Sequence, residues 1–96
     1  MGKDYVITDY SYRKAKELNV ELRPAENKHK KIGVWKNGKH ETDIGAKNYK
    51  SYPEYMEMEA AGQVPKGYAM ERKRLYKIRH RNSKGVAGFY ANKILW

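Results

Sequence analysis

The feature that most constrains the fold is an Asn37-Gly38 pair set between two alternating segments. Residues 31–36 and 39–45 each alternate apolar or bulky side chains with polar ones, which is the pattern of a strand with one buried face. Asn-Gly between two such runs is the strongest short-range signal for a hairpin. The sequence therefore predicts a β-hairpin over residues 30–45.

The length of the hairpin turn can be inferred from the strand register that each possible turn would produce. A two-residue turn would set Ile32 and Val34 opposite carboxylates, whereas a three-residue loop over residues 36–38 lets both share a face with Ile44. Because a one-residue slip turns every side chain to the other face of a strand, the coherent pattern favours the longer loop. We expect a type I turn followed by Gly38 in a left-handed bulge.

The second face of the hairpin is less apolar. The three-residue loop places Lys31 opposite Asp43, beside Trp35. An exposed Trp35 could stack on a nucleic-acid base. The alternative, which we favour, is that a helix of the same domain covers this ring.

Helical periodicity takes over outside the hairpin and a strand at 20–23. Thr8 or Asp9 can cap the first helix, and Pro53 suits the start of the second. The helices are predicted at residues 10–18, 53–61, 67–82 and 89–96. We predict an α+β fold, in which a small antiparallel sheet (20–23, 30–36 and 39–45) packs against two to four helices.

The C-terminal segment carries an apolar cluster, made of Phe89, Tyr90, Ile94, Leu95 and Trp96. A loose tail has no need of such a cluster, so we predict that it packs on the 67–82 helix. The 96 residues suffice for one small domain, which we place at residues 1–96.

Composition excludes several classes of protein. The chain contains no Cys, so disulfides and thiolate metal sites are excluded. No segment approaches the roughly 18 apolar residues of a membrane span, and the N-terminal residues lack the apolar run of a signal peptide. We expect a protein that is neither secreted nor bound in a membrane.

The positive charge is strongly segregated along the chain. Residues 1–65 carry 12 Lys and Arg against 10 acids, a near-neutral half, whereas residues 66–96 carry nine against the single acid Glu71. Solubility alone would not require this asymmetry. The asymmetry therefore indicates that the basic half binds phosphates or the acidic surface of another protein.

The basic half is centred on one predicted helix, where six of the ten residues 72–81 are Lys or Arg. Helical spacing puts Tyr68, Leu75 and Ile78 on its inward side and its cations outside. Like charges one turn apart repel each other, and a bound anion would relieve that repulsion. The candidate nucleic-acid contacts are Arg72, Lys73, Arg74, Lys77, Arg79, His80, Arg81 and Lys84.

A smaller basic cluster stands at the start of the hairpin and consists of Lys28, Lys30 and Lys31. It could be a second anion contact. Protection of a strand edge against aggregation explains it equally well.

Catalytic chemistry finds little support. The three histidines are scattered, and Arg79-His80-Arg81-Asn82 resembles a His-Asn nuclease motif only superficially, because residues 72–96 contain no acid. Phosphodiester hydrolysis usually depends on a metal held by carboxylates. We predict no enzyme, no catalytic or metal-ligating residue and no cofactor.

Several segments together resemble a known group of sequences. They are the Asn-Gly hairpin ending Ile44-Gly45-Ala46, the Tyr-Lys-Ser-Tyr segment of 49–52, the basic run of 72–80 with its Lys-x-x-Tyr-x-x-Arg-His pattern, the segment 85–91, and the Ile-Leu-Trp ending of 94–96. In this order they resemble small, basic, uncharacterised proteins of large double-stranded DNA viruses and of some tailed phages. The resemblance implies a viral origin, a place in the virion or the infected cell, and no settled activity.

Two functions follow as expectations. The first is non-specific binding of nucleic acid, DNA rather than RNA, through its phosphate backbone. The alternative is a minor capsid or cement protein that uses the same charges on acidic capsid subunits. The sequence predicts neither the specific partner nor the oligomeric state.

Overall fold

The computed structural model describes residues 5–82 and 85–96. Within them a three-stranded antiparallel sheet, in the order β1-β2-β3, packs with four helices. This confirms the predicted α+β fold. The strands are β1 (Glu21–Pro24), β2 (Lys30–Lys36) and β3 (Lys39–Ala46), and the helices are α1 (Asp9–Glu17), α2 (Tyr52–Ala60), α3 (Tyr68–Arg79) and α4 (Val86–Ile94).

The hairpin turn has two residues, so the prediction of a three-residue loop was wrong. Lys36 pairs directly with Lys39, and both residues between them have left-handed φ angles, 52° at Asn37 and 78° at Gly38. Positive φ at both central positions is the mark of a type I′ turn. Gly38 is left-handed as expected, but it belongs to the turn itself and not to a bulge.

A bulge in β3 removes the conflict that had argued against the shorter turn. Trp35 pairs with His40 while Val34 pairs with Thr42, which leaves Glu41 as an extra residue on β3. This extra residue shifts the pairing by one position, so that Val34 and Ile32 no longer lie opposite carboxylates. Ile32, Val34 and Ile44 are therefore fully buried, as predicted, and Ile32 lies opposite Ile44.

The other face of the hairpin differs from the expectation. Gly33, not Lys31, lies opposite Asp43, whose carboxylate accepts a hydrogen bond of 2.8 Å from the backbone N–H of Asn27. Lys31 pairs instead with Glu54 of α2. The shorter turn and the bulge at Glu41 together account for the difference, because each shifts β3 by one residue and the two shifts leave its faces unchanged.

Trp35 is half-buried. The guanidinium carbon of Arg23 lies 4.4 Å from its ring centroid, and the His40 ring lies at 5.1 Å. The cover that we expected from a helix thus comes from β1 and from the hairpin itself.

Helix α4 completes the core. Tyr90, Ile94 and Leu95 are buried with the apolar residues of the sheet and with Ala15 of α1. The helix packs on β3 and α1, so the prediction that the whole C-terminal cluster packs on the 67–82 helix was wrong. Half of Phe89 is exposed.

Three long-range hydrogen bonds hold the end of α4. The Ser11 hydroxyl donates to the carbonyl of Ile94 at 3.0 Å, and the Tyr10 hydroxyl donates to that of Trp96 at 3.1 Å. The backbone N–H of Tyr52 donates to the carbonyl of Leu95 at 3.1 Å. These bonds tie the end of α4 and the two residues after it to α1 and α2, and the Trp96 ring stacks on Tyr76 of α3.

Candidate nucleic-acid interface

The two basic segments, which are far apart in the chain, meet in one groove. A cavity of about 460 Å³ lies between the base of the hairpin, the loop before α2, one side of α3 and the end of α4. Its described lining holds no Asp or Glu side chain. The lining includes five Lys or Arg side chains and one His, which are Lys30, Lys31, Lys50, Arg72, Arg79 and His80.

Lys31 forms part of the wall of this groove. Its side chain is 3% exposed, and its ammonium donates to the carboxylate of Glu54 and to the carbonyl of Tyr49. A buried and paired ammonium holds the structure together, whereas Lys30 and Lys50 keep more access to solvent. Lys28 is exposed and lies outside the lining.

The inward side of α3 differs from the apolar stripe that we predicted. Ile78 is 50% exposed, and Ala69 is the buried residue of the helix. Arg72 and Tyr76, one turn apart, are half-buried and line the groove. The reason is that α3 packs on α2 and on Trp96 mainly through aromatic side chains. The spacing of aliphatic residues along the helix does not reveal such contacts.

Arg72 is the best-placed cation of the groove. Its guanidinium carbon lies 5.6 Å from the ring centroid of Tyr55. Its Nε atom is buried and has no hydrogen-bond partner among the described residues. A buried donor without an acceptor is costly. Because this atom is out of contact with solvent, an anion in the groove would reach it only after the Arg72 side chain moved.

Three stacked rings form an aromatic column along the groove. The His80 and Tyr76 rings are 4.1 Å apart and 22° from parallel, and Tyr76 and Trp96 are 4.3 Å apart and 8° from parallel. Burial raises the pKa of Tyr76 above its usual value. Stacked rings of this kind give a flat surface that suits the faces of nucleic-acid bases.

The positive surface continues from the groove onto the neighbouring helices. Lys77 donates a 2.9 Å hydrogen bond to the side-chain oxygen of Asn92. Burial, together with the charges of Lys73, Lys93 and Lys14, lowers the pKa of Lys77. Lys14 and Lys93 were missed from the sequence because each stands outside the basic run, on α1 and α4, and only the fold brings them to α3.

The remaining predicted contacts lie apart from the groove. Arg74 is exposed and forms two hydrogen bonds to the carboxylate of Glu71, at 3.1 and 2.6 Å. This contact lowers the pKa of Glu71 and offsets part of the local charge. Arg81 is exposed beyond the end of α3, and Lys84 lies outside the described residues.

The arrangement is suited to binding anions and planar rings. Among residues 5–82 and 85–96, no three His, Asp or Glu side chains come close enough to hold a metal ion. The His80 of the nuclease-like motif stacks on Tyr76, and its Nδ1 lies 3.0 Å from the Tyr76 carbonyl oxygen.

Comparison with known proteins gives no match to a family, to a curated protein or to a solved structure. In the part of the chain that the structure describes, each helix is too short or too polar to cross a membrane. The chemistry of the groove is therefore the guide to function.

Proposed function

We propose that this protein binds nucleic acid through the groove, mainly by phosphate contacts and without reading sequence. One observation carries the proposal: Lys30 and Lys50 line the same groove as Arg72 and Arg79 of α3, and its described lining has no Asp or Glu side chain. Cations brought together without compensating acids favour a polyanion as the ligand.

The aromatic column favours nucleic acid over an acidic protein surface. Charge alone would suffice for an acidic partner, as in the capsid or cement alternative. The Tyr76–Trp96 stack adds a flat apolar surface beside the cations, and nucleic acid offers both phosphates and rings.

Fluorescence anisotropy with a labelled DNA oligonucleotide, measured across a salt series, tests the proposal. If about four phosphates are engaged, the logarithm of affinity should fall against the logarithm of salt with a slope of roughly −3 to −4. The variant Lys50→Gln, Arg72→Gln, Arg79→Gln should bind more weakly and with a flatter slope, because binding through fewer phosphate contacts releases fewer counterions.

A matched control removes the same charge elsewhere. Lys16, Lys36 and Lys39 are exposed and lie outside the groove, so their joint replacement by Gln should leave the slope close to that of the wild type. Equal losses in both variants would reduce the effect to net charge and contradict the groove. Absence of salt-dependent DNA binding, with saturable binding to a purified acidic capsid subunit, would favour the capsid alternative.

A further inference from the structure

The aromatic column has one open end. Trp96 covers one face of the Tyr76 ring and His80 covers the other, at 4.3 and 4.1 Å. His80 itself is exposed. A further flat ring could therefore extend the column on the outer face of His80, but Tyr76, which lies inside the column, has no free face.

The cations beside the column are spaced along one helix. Arg72 and Arg79 both line the groove and are two turns apart, roughly 10 Å along the helix axis. That separation is too long for one phosphate and suits separate phosphates of one strand. The guanidinium of Arg72, a half-buried residue of the groove lining, would donate to the first of them.

These two observations select a class of nucleic acid. Bases in a duplex are stacked on their neighbours and present only their edges in the grooves. An unpaired base has a free face that can stack on a protein ring. The groove volume of about 460 Å³ lies within the range of small-ligand sites, about 300–1,000 Å³, and is far too small to enclose a duplex.

We propose that the groove binds single-stranded nucleic acid, with phosphates on Arg72 and Arg79 and an unpaired base stacked on the outer face of His80. This inference rests on the function proposed above and narrows its ligand. Duplex DNA would reach the same cations only from outside, through its backbone.

The test compares labelled single-stranded oligothymidylate with a duplex of the same length, in the same salt. The wild type should bind the single strand more tightly. His80→Ala should weaken single-strand binding by about tenfold, the scale of one base stacked on an aromatic side chain, and should weaken duplex binding clearly less. His80→Tyr keeps a ring and should retain most of the preference.

Two controls separate stacking from charge and from folding. His29→Ala removes an exposed histidine outside the groove lining and should bind like the wild type. Inorganic polyphosphate has charge without bases, so wild type and His80→Ala should bind it equally.

The outcomes distinguish this inference from the proposal on which it rests. Equal affinity for single strand and duplex, or an unchanged single-strand affinity in His80→Ala, would overturn the single-strand inference while the salt-dependent phosphate binding stands. If neither DNA binds with a measurable salt dependence, the proposed function itself fails.

Discussion

Lys31 and Glu54 form an ion pair that joins β2 to the first turn of α2 at the wall of the groove. The same Glu54 oxygen accepts hydrogen bonds from the backbone N–H and from the hydroxyl of Ser51, both at 3.0 Å. One carboxylate thus caps α2 and fixes the helix to the sheet. The two partners differ in burial, since Lys31 is 3% exposed and Glu54 is 28% exposed.

This difference predicts unequal effects of replacing the two residues. Glu54→Gln leaves a buried ammonium without its counter-charge and should destabilise the fold by about 3 kcal/mol. Lys31→Met leaves a carboxylate that still reaches solvent and Ser51, so its cost should be clearly smaller. Urea unfolding measures both. In the double variant the methionine side chain needs no counter-charge, so part of the Glu54→Gln loss should be recovered; equal losses in the single variants would contradict the asymmetry.

Gly45 should tolerate a side chain less well than Gly38, although both have the same backbone conformation. Their φ angles are 77° and 78°, and a Cβ atom on Gly45 would lie 2.7 Å from the Cδ1 atom of Leu95, whereas one on Gly38 meets nothing within 4 Å. Gly38→Ala should cost about 1–2 kcal/mol, the penalty of the left-handed conformation. Gly45→Ala should cost about 1–3 kcal/mol more, because buried Leu95 must move.

Thermal or urea unfolding of the two glycine variants checks this difference. Gly38→Ala is the matched control, since it carries the backbone penalty without the contact. Equal destabilisation would mean that Leu95 can shift without cost and that α4 packs loosely on β3.

Helix α4 offers a similar paired test. Ile94 is fully buried, and Phe89 of the same helix is 50% exposed. Ile94→Ala should destabilise the protein by about 2–5 kcal/mol, because it leaves a cavity in the core. Phe89→Ala should cost much less. A large effect of Phe89→Ala in urea unfolding would show that this ring is buried in solution, for example by a partner or a second copy.

The sequence was a good guide to elements and a weaker guide to their contacts. Alternation on either side of Asn37-Gly38 predicted the hairpin and the joint burial of Ile32, Val34 and Ile44. It could not predict the bulge at Glu41. A three-residue loop without a bulge and a two-residue turn with a bulge put the same apolar residues on one face, so the pattern does not distinguish them. The wrong turn and the correct core therefore came from the same pattern.

The candidate site was predictable only in part. The density of cations in 72–81 and the Lys28–Lys31 cluster were visible, but nothing local indicated that Lys30 would line the same groove as Arg72. The inward side of α3 was misjudged because periodicity arguments count aliphatic residues, whereas Tyr76 is half-buried against Trp96. Stacking between residues that are distant in the chain leaves no periodic signal.

Asp43 should make the stability depend on pH in the acid range. Burial alone would raise the pKa of Asp43, but the Asn27 backbone N–H and the His40 ring outweigh it and hold that pKa below its usual value. A group with a lowered pKa in the folded state stabilises the fold above its unfolded pKa, about 3.9 for Asp. That contribution is lost as the pH falls from about 4 through the lower pKa of the folded state.

Urea unfolding at a series of pH values tests this dependence. Asp43→Asn should be less stable than the wild type at neutral pH, because it loses the ionised acceptor. Its stability should then decline less steeply below about pH 4, where only the wild type has a carboxylate to protonate. Parallel curves for the two proteins would show that Asp43 does not cause the acid sensitivity.

The exposed row Arg74, Lys77 and Arg81 should contribute less to DNA binding than the groove residues do. On a helix with about 100° per residue, Arg74 points away from the side that carries Arg72. Arg74 is already bonded to Glu71, and Lys77 to Asn92. Replacing the three exposed residues by Gln should therefore weaken DNA binding and flatten the salt dependence less than replacing the groove residues.

The comparison is sharp because both variants lose three positive charges and differ only in where they lose them. Circular dichroism should show both folded, since Arg74, Lys77 and Arg81 are exposed and the groove variant keeps Lys31 and its ion pair. The Lys50, Arg72 and Arg79 variant should have the flatter slope, because the lost charges line a groove with no Asp or Glu side chain in its described lining. If the exposed-row variant has the flatter slope, nucleic acid binds the outer face of α3, and the groove is not the binding site.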